Sequence, residues 1–390
     1  MPGPLAGYRV IDLTTEMGVL APRLFAGLGA EVIRIEPPGG DPLRRKPPFA
    51  ESPSGERVSL WYGQQMMGRE VVTLDVTTQS GKRDLLAITD SADFVFESQP
   101  IGAMSALGKG DEAARARNPT LIWTSITPFG LTGPRAHWRA TDLIGMASGG
   151  LLSLCGDRDR PPVRPSVEQG YAQAGVQAAA GALMALHARN RFGVGQLVDV
   201  SMQACVSTTH GNARLYATID GVVSERAGGG RSYGATGLRL IYPTFDGYVA
   251  FFRLPDSYPL LASWLIEAGF PVSFDPEAWA TVSSAGRDAP SREKLAEVDT
   301  DVERFFASRT TDALYAEGQV RGLMIAPVAT PADLAVSETA PRARLLGGTR
   351  PSATRPPPRR WRASKVLPNA MAYSGVPPTG CVGRGRASAC

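Results

Sequence analysis

The chain has 390 residues, 43% of them hydrophobic and 20% charged, with a net charge of +4. That length exceeds one ordinary core and predicts two domains, and the composition is that of a globular protein rather than a fibrous or disordered one. The longest apolar runs fall short of a bilayer span and no charged-then-apolar leader opens the chain, so a cytoplasmic protein with no membrane partner is the expectation.

The charge is unevenly placed. Residues 339–390 carry nine arginines, one lysine and no acid, so +4 less the +10 of this tail leaves about −6 on the body. The body's basic residues form no stripe with interleaved aromatics, which argues against nucleic acid. The four cysteines, Cys155, Cys205, Cys381 and Cys390, make no C-x-x-C pair. His137, His187 and His210 lack metal-ligand spacing, so no metal site is expected.

In chain order, residues 8–14 read as a buried strand, 22–29 as a short helix closed by Gly29, and 31–35 as the next strand. This β-α-β unit implies parallel pairing with a right-handed crossover. The alternation continues: strand Val71–Leu74, helix Gln79–Thr89, strand Phe94–Glu97, helix Asp111–Asn118 and strand Leu121–Ile126. Such a pattern predicts an α/β fold with a large doubly wound, Rossmann-like domain. An alanine-rich helix then spans Tyr171–Arg191 and a strand spans Gly195–Ser201. A glycine-rich loop fills 224–237. A hairpin over Leu238–Phe251 turns at Asp246-Gly247, and helical segments run to about Ala316.

The domains are expected at 1–205 for the large α/β unit and 206–320 for a smaller α+β one, with 321–340 returning to the large domain. Residues 341–390 have no periodicity and are rich in arginine and proline. They read as a disordered tail or as an altered end of the gene.

Glu36 ends the second strand, where a dinucleotide-binding fold places its ribose-binding acid. The turn after the first strand, Thr15-Glu16-Met17-Gly18-Val19-Leu20, holds one glycine and not the three that bring backbone against a pyrophosphate. A nicotinamide or flavin cofactor is therefore not expected. No P-loop occurs.

Several segments carry a resemblance. They are Val10–Thr14, Gly27–Pro42 and Leu74-Asp75, then Ala92-Asp93 through Glu97, Asn118-Pro119, Thr124–Ile126 and Phe129–Pro134. Ser148–Leu151, Pro161–Arg164 and Gly195-Gln196 with Asp199–Gln203 complete the set. Together, over about residues 6–335, the chain resembles the class III CoA-transferases, the family of formyl-CoA and carnitine CoA-transferases and of α-methylacyl-CoA racemase. The resemblance implies an interlocked dimer, an acyl-CoA and a carboxylic acid acceptor as substrates, and no tightly bound cofactor. It also implies a carboxylate that forms first a mixed anhydride and then an enzyme–CoA thioester, splitting one hard exchange into easier ones.

In that family the residue after the glycine of this motif is the aspartate nucleophile; here Gly170 is followed by Tyr171. A phenol with an ordinary pKa near 10 is mostly protonated and does not replace a carboxylate. The nearest acid is Glu168. If its stretch is helical, it shares a face with Tyr171 at about 5–6 Å between Cβ atoms; if extended, it points elsewhere. A helix-start glutamate interacting with the dipole is the plain alternative. Asp142 matches a frequently acidic family position beside the active site. The racemase branch places a histidine just before that acid, where this chain has Thr141, so a racemase is disfavoured.

By the same resemblance, Gly228-Gly229-Gly230 matches a mobile loop that closes over the reacting carboxylate, with Gly229 and Gly230 as site residues; a surface linker is the alternative. Arg44, Arg45, Ser98 and Arg139 are candidates for binding CoA. Ser98 stands where the family usually has asparagine, Ala106 where one branch has arginine and Met17 where it has glutamine. The reading is an acyl-CoA:carboxylate CoA-transferase using Glu168. The alternative is a non-catalytic CoA-binding subunit that pairs with an aspartate-bearing paralogue, so both a homodimer and a heterodimer stay open.

Overall fold

A computed structural model describes residues 2–52, 54–108, 110–233, 236–281 and 292–336. The tail read at 341–390 lies outside the described residues. Six strands form the main sheet: β1 (Arg9–Leu13), β2 (Glu31–Glu36), β3 (Arg69–Thr73), β4 (Phe94–Glu97), β5 (Ile122–Thr127) and β6 (Leu197–Ser201). Every pairing is parallel and the order is β3-β2-β1-β4-β5-β6. This is the doubly wound arrangement expected from the alternation, and it puts a topological switch point between the carboxyl ends of β1 and β4, where such sheets open a crevice.

The helices that cover the sheet are α1 (Leu20–Gly27), α2 (Gln79–Asp90), α3 (Asp111–Arg117), α4 (Asp142–Ser148) and α5 (Gln169–Phe192). Strand residues alternate between the two faces. Val10, Val32, Phe94, Phe96, Ile122 and Val200 pack with α1 and the alanines of α5. Ile11, Ile35, Val95 and Trp123 pack with Leu85 of α2 and Ala114 of α3. The interior strands β4 and β5 are buried throughout, as a sheet covered on both faces requires. The small side chains of α5 permit close approach: a Cβ on Gly175 would sit 2.8 Å from Leu20 Cβ of α1.

A second core surrounds a three-stranded antiparallel sheet of β7 (Ile241–Pro243), β8 (Tyr248–Phe252) and β9 (Met324–Pro327). The expected hairpin joins β7 to β8, with the Thr244 N–H donating to Gly247 O at 2.9 Å. α6 (Ser257–Glu267), α7 (Arg292–Ala307) and α8 (Thr311–Val320) pack on it through Trp264, Phe305, Phe306 and Leu314. β9 pairs with β8, so Met324–Pro327 is hydrogen-bonded into the small sheet. Two elements lie where the sequence carries no period: a ribbon of Phe49–Glu51 against Arg57–Ser59, and a short helix at Leu60–Gln65. Among the described residues no helix is long and apolar enough to cross a membrane.

Candidate active site

The switch-point crevice is floored by its own loops. The Thr15 N–H donates to Ser98 Oγ at 2.7 Å and the Gln99 side chain donates to Leu13 O at 2.9 Å, tying the β1 and β4 ends together. Beside these ends, two helices begin close to one another. α4 starts at Asp142, and α5 starts just after Glu168, whose side chain caps nothing. A helix start leaves N–H groups without intrahelical partners. Asp142 Oδ1 accepts one of them, the Tyr171 N–H, at 3.0 Å. An acid from α4 thereby does for α5 what a capping side chain ordinarily does.

Asp142 is almost completely buried, with its side chain 5% exposed, and its Oδ2 has no hydrogen-bond partner among the described residues. Burial pushes its carboxyl above the ordinary value, against the pull of the Tyr171 and Gly170 N–H groups and of Arg164. Arg164 Nη2 stands 3.8 Å from Asp142 Oδ2 and 3.9 Å from Glu168 Oε1. One guanidinium therefore faces two carboxylates, and neither pair is at hydrogen-bond length. Glu168 is the accessible one of the two acids, with its side chain 41% exposed.

Lys46 approaches from the other side. It pairs with Glu16 Oε1 and lies 4.5 Å from the centre of the Trp61 ring. Burial lowers its pKa, while Glu168 and Asp142 raise it, so the ammonium lies in the field of both acids. Tyr171 is half-buried, packed against the main core. Burial raises its phenol pKa, the Asp142 backbone opposes this, and the two carboxylates add to the rise. The phenol is thus held protonated. The arrangement offers one reachable carboxylate, one buried acid with a raised pKa, and two cations.

A model of CoA-transferase family III matches residues 5–358. The chain belongs to CoA-transferase family III. It is 34% identical over 334 residues to the succinyl-CoA:(R)-benzylsuccinate CoA-transferase subunit BbsE of Thauera aromatica, a match covering 84% of this chain and 79% of that one. It is 35% identical over 248 residues to the succinyl-CoA–D-citramalate CoA-transferase of Chloroflexus aurantiacus, covering 63% of this chain and 60% of that protein. The crystal structure of a CAIB/BAIF family protein from Brucella suis superposes with a TM-score of 0.71 at 26% identity, over 88% of both chains.

Of the residues singled out in this family III chain, Glu168 and Asp142 come together around Arg164. Glu168 is neither fully helical nor extended away: it is the capping position itself, at φ −74° and ψ 79°, and its carbonyl accepts the Ala172 N–H. Arg44 is fixed on Glu36 at 2.9 Å and stacked 4.3 Å above Tyr62, with its guanidinium partly open to solvent. Arg45 and Arg139 are exposed. Ser98 is buried, and its hydroxyl is occupied by Thr15.

The glycine loop docks on the segment that follows α4. The Gly228 N–H donates to Gly156 O at 2.9 Å, and Gly228 has φ +56°, a conformation suited to glycine. Gly229 O accepts the Leu240 and Ile241 N–H groups. Gly230 lines a cavity of about 90 Å³ with His210, Asn212, Tyr216 and Ser224. Arg164, Lys46 and Glu16 are members of the cluster that the sequence reading did not single out. Arg164 stands four residues before Glu168, a spacing that could have drawn notice; Lys46 and Glu16 carry no such sign.

Proposed function

We propose that this chain transfers CoA from an acyl thioester to a carboxylic acid, with Glu168 as the nucleophile. The observation that carries the reading is the position of the Glu168 carboxylate: exposed enough to meet a substrate, and in one cluster with Asp142, Arg164 and the start of the helix that bears Tyr171. CoA would lie along the switch-point crevice, its phosphates met by Arg44 and Arg45 and its arm by Arg139, with Gly229 and Gly230 closing over the reacting centre in an interlocked dimer. Succinyl-CoA, named for both relatives above, is the first donor to try.

The test is CoA transfer by the purified chain beside Glu168→Gln. Loss of at least about a thousandfold in kcat, with CoA still bound, supports the reading. Equal rates in the two proteins would end it.

A second reading has its own support. The phenol of Tyr171 occupies the position after Gly170, and BbsE is by name a subunit. In that reading this chain binds CoA and completes a transferase whose partner supplies an aspartate. Transfer that appears only on mixing with such a paralogue, and is indifferent to Glu168→Gln, would decide for it.

A further inference from the structure

Arg164 is a cation with unfilled capacity. Its side chain is 43% exposed, and its two carboxylate partners stand at 3.8 and 3.9 Å. A guanidinium has five N–H donors in a rigid fork, and it binds a carboxylate best with two of them at about 2.7–2.9 Å. The backbone beside it is anchored. The neighbouring Val163 N–H donates to Cys155 O at 3.1 Å, and Pro165 holds Arg164 away from helical backbone. Opposite it, Asp142 Oδ2 is buried with no hydrogen-bond partner among the described residues, and Asp142 is held in place through its other oxygen by the Tyr171 N–H.

We propose that Arg164 is the residue that receives the substrate carboxylate, holding the acid that leaves and then the acid that enters. This rests on Glu168 being the nucleophile. In the resting site Arg164 is shared between Glu168 and Asp142. The Glu168 carboxylate attacks the thioester carbonyl, and CoA leaves as thiolate, giving a mixed anhydride. The thiolate then attacks the glutamyl carbonyl; the acyl group departs as a carboxylate and Glu168 becomes a neutral thioester. At that point one of the two charges facing Arg164 has gone and a free carboxylate has appeared beside it. The guanidinium takes the departing acid, exchanges it for the acceptor acid, and aims that acid at the glutamyl thioester. The acceptor carboxylate displaces the thiolate, and the thiolate attacks the acceptor carbonyl. This restores the Glu168 carboxylate, which reclaims Arg164 and releases the product. The charge on residue 168 thus sets the affinity of Arg164 for acids.

This gives a binding experiment whose signs differ between variants. Succinate is the probe, titrated by calorimetry into the full chain, and CoA is titrated into the same proteins. Glu168→Gln imitates the neutral thioester and should bind succinate at least about fivefold more tightly than the unaltered chain. Arg164→Gln should bind it at least about tenfold more weakly, and the double variant should match Arg164→Gln. Arg164→Lys should recover part of the loss, because it keeps the charge without the fork. CoA affinity should stay within about twofold throughout, which also shows that each variant is folded. A double variant that binds succinate as tightly as Glu168→Gln overturns the role of Arg164 alone. CoA binding absent from every protein, the unaltered chain included, overturns the functional reading and this inference with it.

Discussion

Two charge clusters lie near the carboxyl edge of the main sheet, and they are built in opposite ways. In the first, Asp12 of β1 takes Arg34 Nη1 of β2 at 2.8 Å and Arg69 Nη1 of β3 at 2.5 Å, and it also accepts the Thr14 N–H. Asp41 pairs with Arg34, and Val19 O accepts from Arg69. All three strand residues are buried. In the second, Arg164 faces Asp142 and Glu168 at 3.8 and 3.9 Å, and only Asp142 is buried. The first cluster has short contacts and is buried. The second has long contacts and an open side. Charges that satisfy each other at contact distance hold strands together; charges left at longer range keep their capacity for something else.

The sharpest way to break this comparison is Asp12→Asn. It removes the one carboxylate shared by two buried guanidinium groups, and losing one partner of such a set costs about 3–5 kcal/mol. The urea midpoint should fall accordingly, and a change under about 1 kcal/mol would show that the cluster does not hold the strands. The pH dependence follows the same charge. Burial alone would raise the Asp12 carboxyl, but Arg34 and Arg69 bring it below its ordinary 3.8. A carboxyl whose folded pKa is depressed contributes stability in full above the unfolded value, and loses it as pH falls below 3.8 through the folded one. Asp12→Asn should therefore flatten the acid limb of the stability curve.

The unequal legibility of the two clusters has a physical cause. Asp12 and Arg34 interrupt the apolar runs Val10–Leu13 and Val32–Ile35, Arg69 stands two residues before Val71-Val72, and a charge inside a strand covered on both faces demands a partner. The β-α-β alternation made the parallel sheet legible, with Phe94–Glu97 at its observed bounds and α2 within a residue. The three-residue strands at Phe49 and Arg57 are too short to show a period, and β9 is a four-residue run that pairs with a strand some seventy residues earlier. At the site, Glu168 was legible as the acid nearest Tyr171, and Asp142 through the family resemblance. The meeting of Arg164 with Asp142 was not, since 22 positions separate them and only the packing of α4 against the start of α5 joins them.

The open cluster can be sharpened by Tyr171→Asp. It places a carboxylate at the position after Gly170, in the first turn of α5 and in the field of Asp142 and Glu168. It also removes an aromatic side chain that packs on the core, so the fold should lose about 1–3 kcal/mol while remaining cooperative. The gain should appear in a Glu168→Gln background: transfer at least about tenfold above the Glu168→Gln chain, measured with succinyl-CoA and a dicarboxylate acceptor. No gain in that background would mean that the cluster around Arg164 does not serve a carboxylate at 171.

The smallest effect is expected from Asp142→Asn, and its sign is what matters. Burial raises the Asp142 carboxyl above 3.8, more than the Tyr171 N–H, Arg164 and the Gly170 N–H can offset. The native state then holds its proton more firmly than the unfolded chain does, so Asp142 favours folding below 3.8 and loses that contribution as pH rises through its folded value. At neutral pH its charge is a burden on the fold rather than a support. Asparagine keeps an oxygen for the Tyr171 N–H and removes the charge, so the melting temperature at pH 7 should stay level or rise slightly. The same change at Asp12 should lower it sharply. If Asp142→Asn instead costs more than about 2 kcal/mol, Arg164 depends on that carboxylate as Arg34 and Arg69 depend on theirs. The two clusters would then differ in length of contact only, and the spare capacity assigned to Arg164 would have to be found in another cation, with Lys46 the next to test.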